Sequence, residues 1–207
     1  MPVFQTGYQT QSIGAEVTEA IPPLAGHIPR LTHMRYKCST TAHNIYLMKT
    51  IGTTLAAAEA ASGQTTLKLD DTSPHVTPAG AQETIDANDW ICYMTDAGIE
   101  ANDVASITGN TVTFNNNISA VIPKGAGVYV MGEVGRAVHT HLLVEASTVN
   151  DYADLVFQAG IPADLDVYQQ RSGSGDVLLI VVDNATAAGS MSYTAGVYVA
   201  DTDQIQN

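Results

Sequence analysis

Asp89-Trp90-Ile91-Cys92-Tyr93-Met94 and, a little further on, Val104-Ala105-Ser106-Ile107-Thr108-Gly109-Asn110-Thr111-Val112-Thr113-Phe114 read as β-sheet. The first run is dense in aromatic and β-branched residues, which suit a pleated, half-buried surface. The second is two alternating runs joined by Gly109-Asn110. That pair predicts a two-residue hairpin, with glycine at the first turn position, where a positive φ is required. Working outward, Thr65-Thr66-Leu67-Lys68-Leu69 alternates on one side. On the other, Ile118 to Ile122 and Gly127-Val128-Tyr129-Val130-Met131 close the set. Strands at short, regular spacing with turn residues between them predict a small β unit over 64–132.

The same texture continues beyond that unit. In Thr32-His33-Met34-Arg35-Tyr36-Lys37-Cys38, a strand puts Met34, Tyr36 and Cys38 on one face and His33, Arg35 and Lys37 on the other. Ser39 to Ala42 reads as a turn and His43 to Met48 as a returning strand. Residues 53–61, TTLAAAEAA, are the best helix candidate, stopped by Ser62-Gly63, with an ordered loop as the other reading. Thr140 to Glu145 alternates, whereas Asp176-Val177-Leu178-Leu179-Ile180-Val181-Val182-Asp183 is apolar throughout its middle, as in a strand covered on both faces. Met191 to Val199 ends the fold. The expected architecture is mainly β: a β-sandwich or barrel-like body from 30–61 and 133–200, with 64–132 inserted as a small β unit. An extended N-terminal arm, 1–29, precedes it, and a polar tail, 201–207, follows.

Residues 1–29 are rich in Gln, Thr and Gly, hold a Pro-Pro pair and carry no apolar stripe. They cannot bury themselves, so they read either as a loose tail or as an arm that orders on a neighbouring subunit. Spaced apolar anchors, Val3, Phe4, Tyr8, Ile13 and Val17, favour the arm. Fully extended, it would reach on the order of 90–100 Å.

Composition excludes several function classes. The chain has 207 residues and a formal net charge of -13, with 8 Lys+Arg against 21 Asp+Glu. That sign argues against direct nucleic-acid binding, which needs clustered cations. No apolar run approaches the ~20 residues of a membrane span, and no basic-then-apolar leader opens the sequence, so no membrane partner is expected. Cys38 and Cys92 are too few for a disulfide framework or thiolate metal site, and each falls in a strand-like run where a buried thiol is the default. His139 and His141 share strand spacing, but a metal site needs a third ligand and a fixed second shell. No Gly-x-Ser-x-Gly elbow and no phosphate-cradling glycine motif is present. Carboxylate pairs such as Asp70-Asp71 and Asp164-x-Asp166 lack the aromatic lining of a sugar cleft, since the chain has one Trp and three Phe. No catalytic residue, metal or cofactor is therefore expected.

The cations are unevenly placed. No acidic residue lies between Glu19 and Glu59, yet Arg30, Arg35, Lys37 and Lys49 do. Chance and a basic docking face aimed at an acidic partner are the two readings of this cluster. With Phe4, Tyr8, Ile13 and Val17, these four cations form the expected partner-binding set.

The run GHIPRLTHMRYKCSTTAHNIYLMKTIGTTLAAAEAASGQTTLKL (26–69), followed by NDWICYMTDAGIEANDVASITGNTVTFNNNISAVIPKGAGVYVMG (88–132), resembles virion structural proteins of tailed bacteriophages, and more narrowly the capsid decoration (cement) type. The likeness covers roughly 26–132, with 139–199 similar only in general pattern. It implies a non-enzymatic protein on the capsid exterior that binds the major capsid protein and stabilises the shell. It also implies a homotrimer, and it carries over no catalytic residues. The alternative is a tail or fibre module that binds a host surface carbohydrate.

Overall fold

The computed structural model describes residues 9–13, 18–21, 27–38, 44–76, 82–134, 140–145, 152–156, 177–183 and 189–199. Among them every regular element is a strand. The chain divides into two compact units, Met48–Thr140 and Met1–Leu47 with His141–Asn207.

The unit from one continuous segment is a curled sheet. Its strands are β5 (Gly52–Leu55), β6 (Thr66–Lys68), β9 (Asp89–Thr95), β10 (Gly98–Thr108), β11 (Thr111–Phe114) and β12 (Gly127–Glu133), in the spatial order β5-β12-β9-β10-β11-β6. The expected hairpin joins β10 to β11, with Thr108 opposite Thr111 and Gly109 at φ 58. The sheet curls until its two edges meet. Ala56, just past β5, bridges Leu69, just past β6, and the Ala57 N–H donates to the Lys68 carbonyl at 2.8 Å. Inside lie Leu67, Leu69, Ile91, Tyr93, Val104, Val112, Phe114, Ile118, Ile122, Val128 and Val130, all at most 2% exposed. Alternation explains the filling: on β11, Val112 and Phe114 are buried while Thr111 and Thr113 are half-exposed. The Tyr93 and Phe114 rings meet at 5.3 Å between centroids. Asn102, 3% exposed, ties the following loop to the barrel, donating to the Asn116 carbonyl at 2.8 Å and accepting from the Asn116 N–H at 3.3 Å.

Residues 53–61 are not helical. Gly52–Leu55 pairs with Gly127–Val130, and Ala60 bridges Ile122 with reciprocal backbone bonds of 3.0 and 2.9 Å. Nine alanine-rich residues are too few to hold a helix alone. The sheet edge supplies partners for the same backbone groups and buries Ala56 and Ala60 to 1% and 3% exposure. The stretch 52–61, assigned to the body on sequence, is thus built into the barrel.

The second unit takes strands from both ends of the chain. One of its sheets has the order β1-β16-β3-β14, from β1 (Gln9–Ile13), β3 (His27–Cys38), β14 (Tyr152–Val156) and β16 (Gly189–Val199). The other has the order β13-β4-β15-β2, from β2 (Thr18–Ile21), β4 (Asn44–Lys49), β13 (Thr140–Glu145) and β15 (Leu178–Asp183). Two four-stranded sheets fit a β-sandwich. As expected, the apolar run is buried from Val177 to Val181, with Leu178 at 8% exposure and the other four at 0%.

Two expectations change here. The strands 27–38 and 44–49 do not form a hairpin, because β3 and β4 belong to different sheets; β3 takes β16 and β14 as its neighbours. Of the N-terminal stretch, the described parts are strands of the chain's own sheets. Gln9–Ile13 runs along Gly189–Tyr193, and Thr18–Ile21 along Leu178–Val181. The 201–207 tail lies outside the described residues.

Candidate interaction face and an acidic groove

Strand β3 carries the chain's basic cluster, and its register decides which residues share a face. Directly opposite residues in an antiparallel ladder lie on the same side of the sheet. Lys37 stands opposite Ser190, Arg35 opposite Ser192 and His33 opposite Thr194. Strict alternation would then place Arg30 on the other face. It does not, because the register shifts between Thr194 and Ala195: β3 has one extra residue, and Leu31 stands opposite Ala195 and Arg30 opposite Gly196. Such a bulge reverses the phase of every residue beyond it. Arg30, His33, Arg35 and Lys37 therefore occupy one face.

The neighbouring strands add polar residues to that face, and Val156, which stands opposite His33. On β14, Asp154 is opposite Arg35 and Tyr152 opposite Lys37; on β1, Thr10 is opposite Ser192 and Ser12 opposite Ser190. The other face holds mostly apolar residues, among them Leu31, Met34, Tyr36 and Cys38 on β3, Met191, Tyr193, Val197 and Val199 on β16 and Leu155 on β14, together with His27, Gln9 and Gln11. Among the described residues, the face of Arg30, Arg35 and Lys37 also takes Ile28, Tyr198 and Val156, so it is mixed in character but holds three permanent cations and the one carboxylate of Asp154.

The structure thus brings together Arg30, Arg35 and Lys37 of the predicted set. Lys49 does not join them, since it ends β4 in another sheet. Ile13 pairs with Gly189 and falls on the opposite face. Phe4, Tyr8 and Val17 lie outside the described residues, as does His139. His33 joins the face as its alternation with Arg35 and Lys37 predicts, whereas Ser190, Ser192 and Asp154 were missed. Those three come from strands distant in sequence.

A separate groove of about 280 Å³ opens in the barrel unit, with His75, Glu83, Asp86 and Asp89 above Ile51 and Val130. A two-stranded ladder, β7 (His75–Val76) with β8 (Gln82–Glu83), supplies two of these. His75 Nδ1 lies 2.9 Å from Glu83 Oε2, and the Ser73 and Thr84 hydroxyls share a bond of 3.0 Å. The ladder sits close on β5: a Cβ on Gly52 would fall 2.8 Å from the Pro74 carbonyl, so only glycine fits. Asp89 is 8% exposed and accepts from the Asp86 N–H at 2.8 Å. Among the described residues no group of three His, Cys, Asp or Glu side chains is placed to hold a metal ion. Cys92 is a free, fully buried thiol whose pKa burial pushes far up, so it stays protonated and unreactive at neutral pH.

No protein-family model and no curated protein matches the chain. Among solved structures, one titled as that of the infectious bursal disease virus Gx strain aligns with all of this chain at 10% identity and a TM-score of 0.14. The chain spans 43% of that one's length. A TM-score of that size falls short of a shared fold and transfers nothing.

Proposed function

We propose that this chain is a non-enzymatic structural protein of a tailed-bacteriophage virion, of the capsid-decoration type, which binds the major capsid protein from outside as a homotrimer. The observation that supports the reading is the cation-bearing face of the β1-β16-β3-β14 sheet. It gathers Arg30, Arg35 and Lys37 on a protein whose net charge is -13. A basic, hydroxyl-rich sheet face on an acidic body suits an acidic protein surface, because opposite potentials speed encounter and fix orientation. The sequence resemblance to decoration proteins supplies the particle.

The experiment is co-sedimentation of the protein with phage capsids over a salt series. Arg35→Glu with Lys37→Glu should weaken binding several-fold at low salt and less at high salt, where screening lengths are short. Equal binding by the two proteins across salt would overturn the reading. Tyr152 shares the face with Ser and Thr residues, a mix that also suits sugars. Binding to host glycans, unaffected by charge reversal, would favour a tail or fibre module instead.

A further inference from the structure

The first strands of the chain are placed to be exchanged. β1 and β2 each stand last in their sheet, on the flanks of β16 and β15. Both neighbours come from the far end of the sequence, so the single segment 9–21 completes two different sheets. Little in the two strands themselves anchors them: QTQSI and TEAI hold only Ile13, Ala20 and Ile21 as apolar residues. The need for cover is nonetheless strong at β15. Its residues Leu178–Val181 are 0–8% exposed, and Ile21, opposite Leu178, is 5% exposed. Without β2, β15 would present an unpaired apolar edge, the kind of edge that recruits another strand.

A second copy offers the same two edges in the same register, so exchange between copies costs no ladder bond. The sequence that follows β2 favours exchange. In sequence, β2 is followed by Pro22-Pro23, and a proline pair prefers extended backbone and has no N–H with which to bond back.

We propose that residues 9–21 are an exchangeable element, each copy laying its β1 and β2 on the β16 and β15 edges of a neighbouring copy. The inference rests on the homo-oligomer of the preceding reading and not on the capsid. Each copy is then incomplete without the next, and head-to-tail donation of this kind gives a ring where the rotation between copies closes and an open filament where it does not.

Thr10 and Ser192 are Cα partners across the β1–β16 ladder. Such partners lie about 4.5–5.5 Å apart, within reach of a disulfide. The test oxidises full-length protein carrying Thr10→Cys and Ser192→Cys, with each single variant as control, and sizes the products on denaturing gels without reductant. Light scattering gives the native mass in parallel. Exchange yields covalent multimers up to the native mass, absent from both controls. A native oligomer whose cross-links all stay within single chains overturns exchange and leaves the oligomer standing. A native monomer overturns both. No cross-link at all removes the β1–β16 pairing and the exchange with it.

Discussion

The barrel unit and the two-sheet unit use the same kind of strand but gather it from different reaches of the chain. In Met48–Thr140, β9, β10 and β11 pair in succession, and the sheet closes on itself through Ala56 and Leu69. Everything the barrel needs lies in one continuous segment. In the other unit, β3 runs against β16 from Cys38 opposite Gly189 to His27 opposite Val199, and both edge strands from the N-terminus lean on strands from the C-terminal third. Pairings so distant in sequence carry a larger loop-closure cost and form later than local hairpins. The barrel is thus the self-sufficient part, and the two-sheet unit depends on both chain ends being present.

Deleting residues 1–21 is the strongest challenge to that contrast. It removes β1 and β2, uncovers β15 and takes away buried Ile21. Hydrogen exchange should show protection lost across Leu178–Asp183 and retained in β9, β10 and β11. Loss of protection in both units together would break the comparison.

Phe114→Ala attacks the barrel alone. The ring is 2% exposed and packs on Tyr93. Its loss should cost about 3–5 kcal/mol by lost burial and a residual cavity. Thermal melting followed by exchange should show the barrel midpoint falling while β3 and β16 keep their protection.

A smaller effect comes from alkali. Burial raises the pKa of Cys92 and, as the main cause, that of Tyr93, both on β9. Each neutral acid is held protonated in the folded state and ionises more readily when unfolded. The stability they lend is therefore fully present below their ordinary values of 9.0 and 10.0 and declines as pH rises beyond them. Each group contributes about 1.4 kcal/mol per pH unit in that range. Melting between pH 8 and 11 should lower the barrel midpoint first, and Cys92→Ala should flatten the onset.

Much of this was legible in the residues themselves. Gly109-Asn110 announced its hairpin because a positive φ at a two-residue turn is a local demand that few residues meet. The apolar run before Asp183 announced a strand covered on both faces, since no solvated face tolerates such a run. Within 32–38, alternation separated His33, Arg35 and Lys37 from Met34, Tyr36 and Cys38, and the register agrees. These signals depend on a few adjacent residues and survive without knowledge of the partner.

What the sequence determined, then, was strand, turn and the two faces of single runs, because these follow from local φ preferences and a period of two. Only the tertiary structure decided partners. Ala56 and Ala60 became sheet bridges because a distant edge offered their backbone groups bonds that a nine-residue helix could not hold. β3 left its expected hairpin partner β4 for β16, and Arg30 joined Arg35 and Lys37 only because the register against β16 slips by one residue near Thr32. A bulge is defined by two strands together, so no single stretch of sequence could place that arginine.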